Sequence, residues 1–187
     1  NMDLKQIFCG SGRERMPDIA FRIMSFHFVL RDLLFSPQKK LERMGIKPGD
    51  SVVDYGCGPG SFICKASALV GPEGKVFALD VHELAIRSVE NLVRKESLGN
   101  VTAVLLKGYT SGLESGIADL VYCLDMFHMV EQPAPFLEEI HRLLKPTGRL
   151  ILEDGHQSRR TSRKKVEDSG LWAIVEEGRS WMVCCPN

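Results

Sequence analysis

Short apolar runs alternate with helix-spaced segments through the middle of the chain. Residues 51–54, 75–79, 101–106, 118–124 and 149–153 have strand length and are apolar at successive positions, so both faces of each strand are expected to be covered. Between them, residues 61–70, 82–95 and 133–144 repeat apolar side chains at helical spacing, as Ile86, Val89 and Val93 do. The breakers Gly71-Pro72-Glu73-Gly74 and Lys145-Pro146-Thr147-Gly148 are read as stops after the first and third of these helices. Strands joined by crossover helices imply right-handed connections and a parallel, doubly wound α/β sheet.

The two ends have a different character. Pro17 suits a helix's first turn, and the run Ile19, Phe21, Ile23, Met24, Phe28, Leu30 and Leu34 predicts a long helix after it. Residues 38–44 predict a short amphipathic helix stopping at Gly45, followed by a turn at Lys47-Pro48-Gly49-Asp50. Beyond strand five, residues 159–168 read as a polar helix. The apolar stretches 171–175 and 181–185, separated around Gly178, predict an antiparallel hairpin that brings the sheet to seven strands. The expected organisation is a single domain over 1–187, with an N-terminal helical cap (1–44), a ligand-binding core (45–155) and a C-terminal helix with two strands (156–187).

Composition narrows the partners. Lys plus Arg and Asp plus Glu each number 24, so no net field draws the chain to nucleic acid or to an anionic membrane. The apolar stretch from Ile19 to Phe35 is broken by Arg22, His27, Arg31 and Asp32 and is not expected to span a membrane. It also lacks a signal-peptide cleavage pattern, and Asn1 ahead of Met2 reads as a tag remnant. Six cysteines without repeated C-x-x-C spacing point to reduced thiols, a cytoplasmic setting and no structural zinc.

The chemistry concentrates after strand one, in Val52-Val53-Asp54-Tyr55-Gly56-Cys57-Gly58-Pro59-Gly60. Alternate glycines let a backbone turn sharply against a ligand, and the switch point beside strand one is where such sheets bind one. The spacing is G-x-G-x-G, not the G-x-G-x-x-G of dinucleotide sites, and Ser61 follows. Asp54, an acid at the end of a buried strand, is suited to a ligand carrying a positive amine and unsuited to a pyrophosphate. Asp80, closing strand two, stands where a carboxylate reaches ribose hydroxyls.

Together with Val76-Phe77-Ala78-Leu79-Asp80, Ala118-Asp119-Leu120-Val121-Tyr122 and the segment from Phe136 to Leu150, these residues resemble the class I S-adenosylmethionine-dependent methyltransferases. The resemblance covers about residues 45–155. It is nearest to the small-molecule branch that includes the ubiquinone and menaquinone methyltransferases. It implies a Rossmann-like fold, S-adenosylmethionine as cofactor with S-adenosylhomocysteine as product, and methyl transfer to a small-molecule acceptor by in-line displacement. By position it also implies that Gly56, Cys57, Gly58 and Gly60 line the methionine part and that Asp54 holds its amine. Asp80 would bind the ribose, and Val81, His82 and Leu124 would border the nucleoside. One departure stands out. Where relatives often carry Gly-Asp-Ala after strand three, this chain has Gly108-Tyr109-Thr110, leaving Tyr109 in place of an acid at the adenine.

Candidate catalytic groups come from the loops after strands four and five: Asp125, Phe127 and His128, then Glu153, Asp154 and His156. Asp125 and His128 lead, because the family lines its active site there. A metal site from Asp125, His128, Asp154 and His156 has no tight local motif behind it, and none is expected. Cys57 is read as a packing residue. The cluster Arg159, Arg160, Arg163, Lys164 and Lys165 is read as a solvated helix face, and Phe21, Met24, Phe26, Phe28 and Phe35 as core or a lid over the cofactor. The alternatives are an RNA methyltransferase, against which stands the absence of an Asn-Pro-Pro-Tyr motif, and a protein that binds S-adenosylmethionine without catalysis. The acceptor and the oligomeric state leave no mark in the sequence.

Overall fold

Val52 and Val53 are neighbours in sequence and both fully buried, on opposite faces of one strand. That two-sided burial organises the molecule. In the computed structural model, which describes residues 17–21, 23 and 38–187, β1 (Ser51–Tyr55), β2 (Lys75–Asp80), β3 (Val101–Leu105), β4 (Ala118–Cys123) and β5 (Leu144–Glu153) run parallel. β6 (Trp172–Glu177) and β7 (Trp181–Pro186) form the hairpin, with β7 antiparallel to β5. The sheet order is β3-β2-β1-β4-β5-β7-β6. The chain leaves β1 toward β2 and β3, then crosses back to place β4 on β1's other side, so the switch point lies between β1 and β4.

Helices cover both faces. α1 (Gln38–Glu42), α2 (Ile63–Val70) and α3 (Glu83–Glu96) lie on one, where Leu41, Ile63, Ala66 and Val89 pack with Val52 and Leu120. α4 (Pro133–Leu143) and α5 (Arg159–Asp168) lie on the other, where Phe136, Leu137, Ile140 and Val166 pack with Val53 and Val121. The edge strands β3 and β6 are the less buried ones, as one uncovered side dictates.

Several boundaries differ from the sequence reading. α2 begins at Ile63, not at 61, because the glycine turn extends to the Ile63 amide, which donates to the Gly60 carbonyl. β5 begins at Leu144, so the expected stop Lys145-Pro146-Thr147-Gly148 is a bulge inside the strand. Ala118 pairs with Leu144 and Leu120 already pairs with Arg149. The Lys145 ammonium bonds the Asp119 carboxylate at 2.7 Å and 2.8 Å, and Asp119 also accepts from the Ser51 amide, tying β1, β4 and β5 at their starts. At the N-terminus residues 18–21 and 23 are helical, as expected. The predicted remainder of that helix, with Met24, Phe26, His27, Phe28 and Phe35, lies outside the described residues. Among the described residues no helix is long and apolar enough to cross a membrane.

Candidate active site

The carboxyl ends of β1, β2, β3 and β4 surround a cavity of about 130 Å³, whose wall includes Gly56, Gly58, Asp80, Val81, His82, Tyr109, Leu124 and Asp125. A smaller pocket of about 40 Å³ adjoins it, lined by Asp54, Cys57, Pro59 and Ser61, and shares Gly56, Gly58, Leu124 and Asp125 with it. The two form one cleft over the glycine turn. Gly56, Gly58 and Gly60 take φ values of +83°, +52° and +96°, a region open to glycine and costly for other residues. At Gly56 a Cβ would come within 2.9 Å of the Met126 side chain, and at Gly60 within 3.2 Å of Val89 on α3. At Gly58 it would project into open space, so this backbone is bare toward the cleft.

Beneath the turn, Asp54 is 1% exposed and its Oδ2 has no hydrogen-bond partner. Burial pushes its carboxyl up to about 8; the neighbouring Tyr122 hydroxyl, turned toward the carboxylate though short of hydrogen-bond geometry, opposes the shift and the charge of Asp80 adds to it. A buried carboxyl left short of partners costs stability, and such groups mark sites built for something other than packing. Cys57 is different. Burial holds its thiol well above the ordinary value and its Sγ donates to the Gly58 carbonyl, so it is a packed thiol and no nucleophile.

Asp80 stands across the turn. Its Oδ2 accepts from the Gly58 amide at 2.9 Å and its Oδ1 from the His82 amide at 2.8 Å, which fixes the carboxylate in the cleft wall. Burial raises its pKa and the two amides work against that. A carboxylate offers about four acceptor positions, so two remain for hydroxyl donors. His82 caps α3 by accepting from the Leu84 amide, and its ring stacks on Phe21 with centroids 4.2 Å apart. Phe21 thus brings the N-terminal segment to the cavity wall.

Tyr109 forms part of the far wall. Its carbonyl accepts from the Tyr55 hydroxyl and its own hydroxyl accepts from the Gln132 amide, while its ring meets Phe136 edge-on. Met126, Met129, Val130 and Phe136 also line the cavity and escaped the sequence reading. For Met126, Met129 and Val130 the available signal was an apolar loop directly after a strand's carboxyl end; Phe136 lies within α4 and carried none.

The loop residues divide. Asp125 lines the cleft with a left-handed backbone, φ +53°. Phe127 is fully buried and stacked on Phe136, a core residue and no candidate for catalysis. His128 and His156 meet edge-on at 4.8 Å between centroids, and His156 Nε2 lies 4.0 Å from Asp125 Oδ1. Burial lowers the His128 pKa, with Asp125 opposing. Glu153 and Asp154 are engaged elsewhere, Glu153 with Lys40 at 2.7 Å and Asp154 with Arg159 at 2.8 Å. The basic cluster on α5 is largely answered from within: Arg159 by Asp154 and Glu177, Arg163 by Glu167 and Glu177, and Lys164 by Asp168. Lys165 donates to the carbonyls of Phe127 and Val130, clamping the turn that carries His128.

A third, wider groove of about 570 Å³ meets the cleft at Leu124 and runs along Arg149, Ile151, Trp181 and Val183, with Lys39, Lys40 and Arg43 on its rim.

A family model for a methyltransferase domain matches residues 46–183. The chain is 31% identical over 119 residues to a demethylmenaquinone methyltransferase of Lactococcus lactis, covering 63% of this chain and 47% of that protein. It is 42% identical over 118 residues to a probable cobalt-precorrin-6B C(15)-methyltransferase of Saccharolobus solfataricus, covering 60% and 56%. The chain therefore spans about half the length of these curated relatives. A crystal structure of a SAM-dependent methyltransferase from Aquifex aeolicus superposes with a TM-score of 0.70 at 28% identity, over 83% of this chain and 91% of that one. The match to the family model spans the glycine turn and the switch point and reaches into the hairpin: this chain belongs to the methyltransferase domain family.

Proposed function

We propose that the protein transfers a methyl group from S-adenosylmethionine to a small organic acceptor. The observation that carries this reading is Asp54, a buried carboxyl with an unpartnered oxygen directly under a bare glycine turn, with the Asp80 carboxylate fixed on the other side of that turn. A ligand with a cationic amine at one end and ribose hydroxyls at the other answers both. Asp54 receives the amine, directly or through water, and Gly56, Cys57, Gly58 and Gly60 line the methionine part. Asp80 accepts from the ribose, Val81 and His82 flank the adenine, and Tyr109 and Leu124 close the walls. When bound, S-adenosylmethionine supplies an electrophilic methyl group that passes to an in-line nucleophile, leaving S-adenosylhomocysteine.

The chain's own contribution is largely positioning and exclusion of water, since a nucleophile held at about 3 to 3.5 Å needs little more. Asp125 lines both pockets, and His128, on the same loop and beside Asp125 but in the wall of neither, stands behind it; these two are the candidates for handling an acceptor's proton. The acceptor is assigned to the groove that joins the cleft at Leu124. Relatives named for demethylmenaquinone and cobalt-precorrin support a small acceptor. The internal pairing of the α5 cations speaks against RNA. The five described cysteines are all free, in keeping with a reducing cytoplasm.

Incubating the protein with a metabolite extract and methyl-labelled S-adenosylmethionine tests the assignment. Label in a small-molecule fraction is the expected result. Label in RNA moves the protein to nucleic-acid methylation, and binding of the donor without incorporation into any fraction makes it a binding protein.

A further inference from the structure

Asp125, His128 and His156 come from two loops and stand 31 residues apart at the extremes, yet one ligand atom from each lies within 4.8 Å of the others. We propose that these three side chains bind a first-row divalent transition-metal ion at the rim of the cleft.

The local structure is arranged to bring them together. Gly155, at φ +62°, turns the chain after β5 so that His156 faces the loop after β4. A Cβ at Gly155 would lie 2.1 Å from His128 Nδ1, so the His128 ring sits directly on this backbone and only glycine fits beneath it. Lys165 holds the carbonyls of Phe127 and Val130 on either side of His128, so the ring is presented from a clamped turn. Asp125 adopts a left-handed conformation that an aspartate enters at a cost, and strain of this kind gathers at ligand sites. His128 Nδ1 is buried without a hydrogen-bond partner, so no other protein group competes for this nitrogen.

The donor set selects the ion. Two imidazoles and one carboxylate suit zinc, cobalt, iron or manganese, whereas magnesium and calcium prefer all-oxygen shells. At tetrahedral angles, ligand atoms about 2.0 to 2.2 Å from an ion stand about 3.3 to 3.6 Å apart, so the triad must close by about an ångström. His156 supplies that adjustment, because its side chain is 81% exposed and free to swing inward. Asp154, a fourth candidate by sequence, is held by Arg159 and does not join. Three protein ligands leave open positions, the arrangement of sites that act on a bound molecule and not of structural ones. Asp125 also lines the cleft, which puts those positions beside it.

A bound ion would occupy the Asp125 and His128 atoms proposed above for proton handling, whereas donor binding across Asp54 and Asp80 does not depend on it, and the test keeps the two separate. The protein is titrated with Co²⁺ under reducing conditions while ligand-field absorption is recorded, and S-adenosylmethionine affinity is measured in parallel. The expected result is one Co²⁺ per chain without thiolate charge-transfer absorption, weakened by roughly tenfold or more in both His156→Ala and Asp125→Ala. His156 is exposed, so its variant reports on the site and not on folding. No Co²⁺ binding, unchanged affinity in both variants, or a thiolate spectrum pointing to cysteine would each overturn the site. Loss of S-adenosylmethionine binding with Co²⁺ binding intact would instead count against the methyltransferase assignment alone.

Discussion

Asp54 is the residue on which most of the chemistry turns. In the native protein its carboxyl keeps a proton up to about pH 8, whereas the unfolded chain releases it near the ordinary 3.8. Between those values the native state binds more protons than the unfolded one. The Asp54 contribution to stability therefore falls as pH rises from about 4 to about 8 and is level above. Comparing urea unfolding of the wild type and Asp54→Asn across that window isolates it: the wild type should lose stability relative to the variant as pH rises, and parallel profiles would contradict the assignment. The same carboxyl makes ligand binding proton-linked. If a cationic amine settles beside it at pH 7, Asp54 ionises and releases roughly one proton. The calorimetric enthalpy of S-adenosylmethionine binding should then differ between phosphate and Tris buffers for the wild type and not for Asp54→Asn. Asp54, the glycines and Asp80 were legible in the sequence because their signal is local: an acid, a turn and a strand end at fixed spacing. The convergence of Asp125, His128 and His156 was not, since it depends on Gly155 turning one loop onto another.

Among the elements, β5 shows where sequence punctuation misleads. Lys145-Pro146-Thr147-Gly148 has the composition of a stop, yet the chain passes straight from α4 into β5 and accommodates those residues as a bulge. Pro146 is tolerated because bulged positions need donate no ladder hydrogen bond. What fixes the bulge is long-range: Lys145 reaches Asp119, and Gly148 lies against the Ala118 carbonyl, where a Cβ would approach to 2.9 Å. Gly148→Ala should accordingly destabilise the protein by about 1 to 3 kcal/mol, visible as a lowered urea midpoint with an unchanged slope. An unaltered midpoint would mean the bulge relaxes freely. Strands β1 to β4 and α5 were readable within a residue or two from their own periodicity. The hairpin strands β6 and β7 extend one or two residues past their apolar cores, because pairing with β5 and with each other carries the ladder into polar sequence.

At the scale of the molecule, strand order and site location are one fact. The reversal beside β1 leaves a crevice where β1 and β4 diverge, and the chain fills its rim with the ends of four strands. Sequence alone carried the fold class this far, since alternation of apolar strands with helices admits few topologies. It did not show that Phe21 would stack on His82 and form part of the cavity wall, a contact between segments some sixty residues apart. The claim that organises all of this is that the crevice binds S-adenosylmethionine across Asp54 and Asp80. Isothermal titration of the wild type and of Asp80→Ala with S-adenosylmethionine, with NADH as the competing nucleotide, tests it most directly. Saturable binding of S-adenosylmethionine, none of NADH, and an affinity weakened by more than about tenfold in Asp80→Ala are expected, since charge-assisted bonds of this kind contribute about 1.5 to 3 kcal/mol. Binding of NADH alone, or an affinity that Asp80→Ala leaves unchanged, would contradict it.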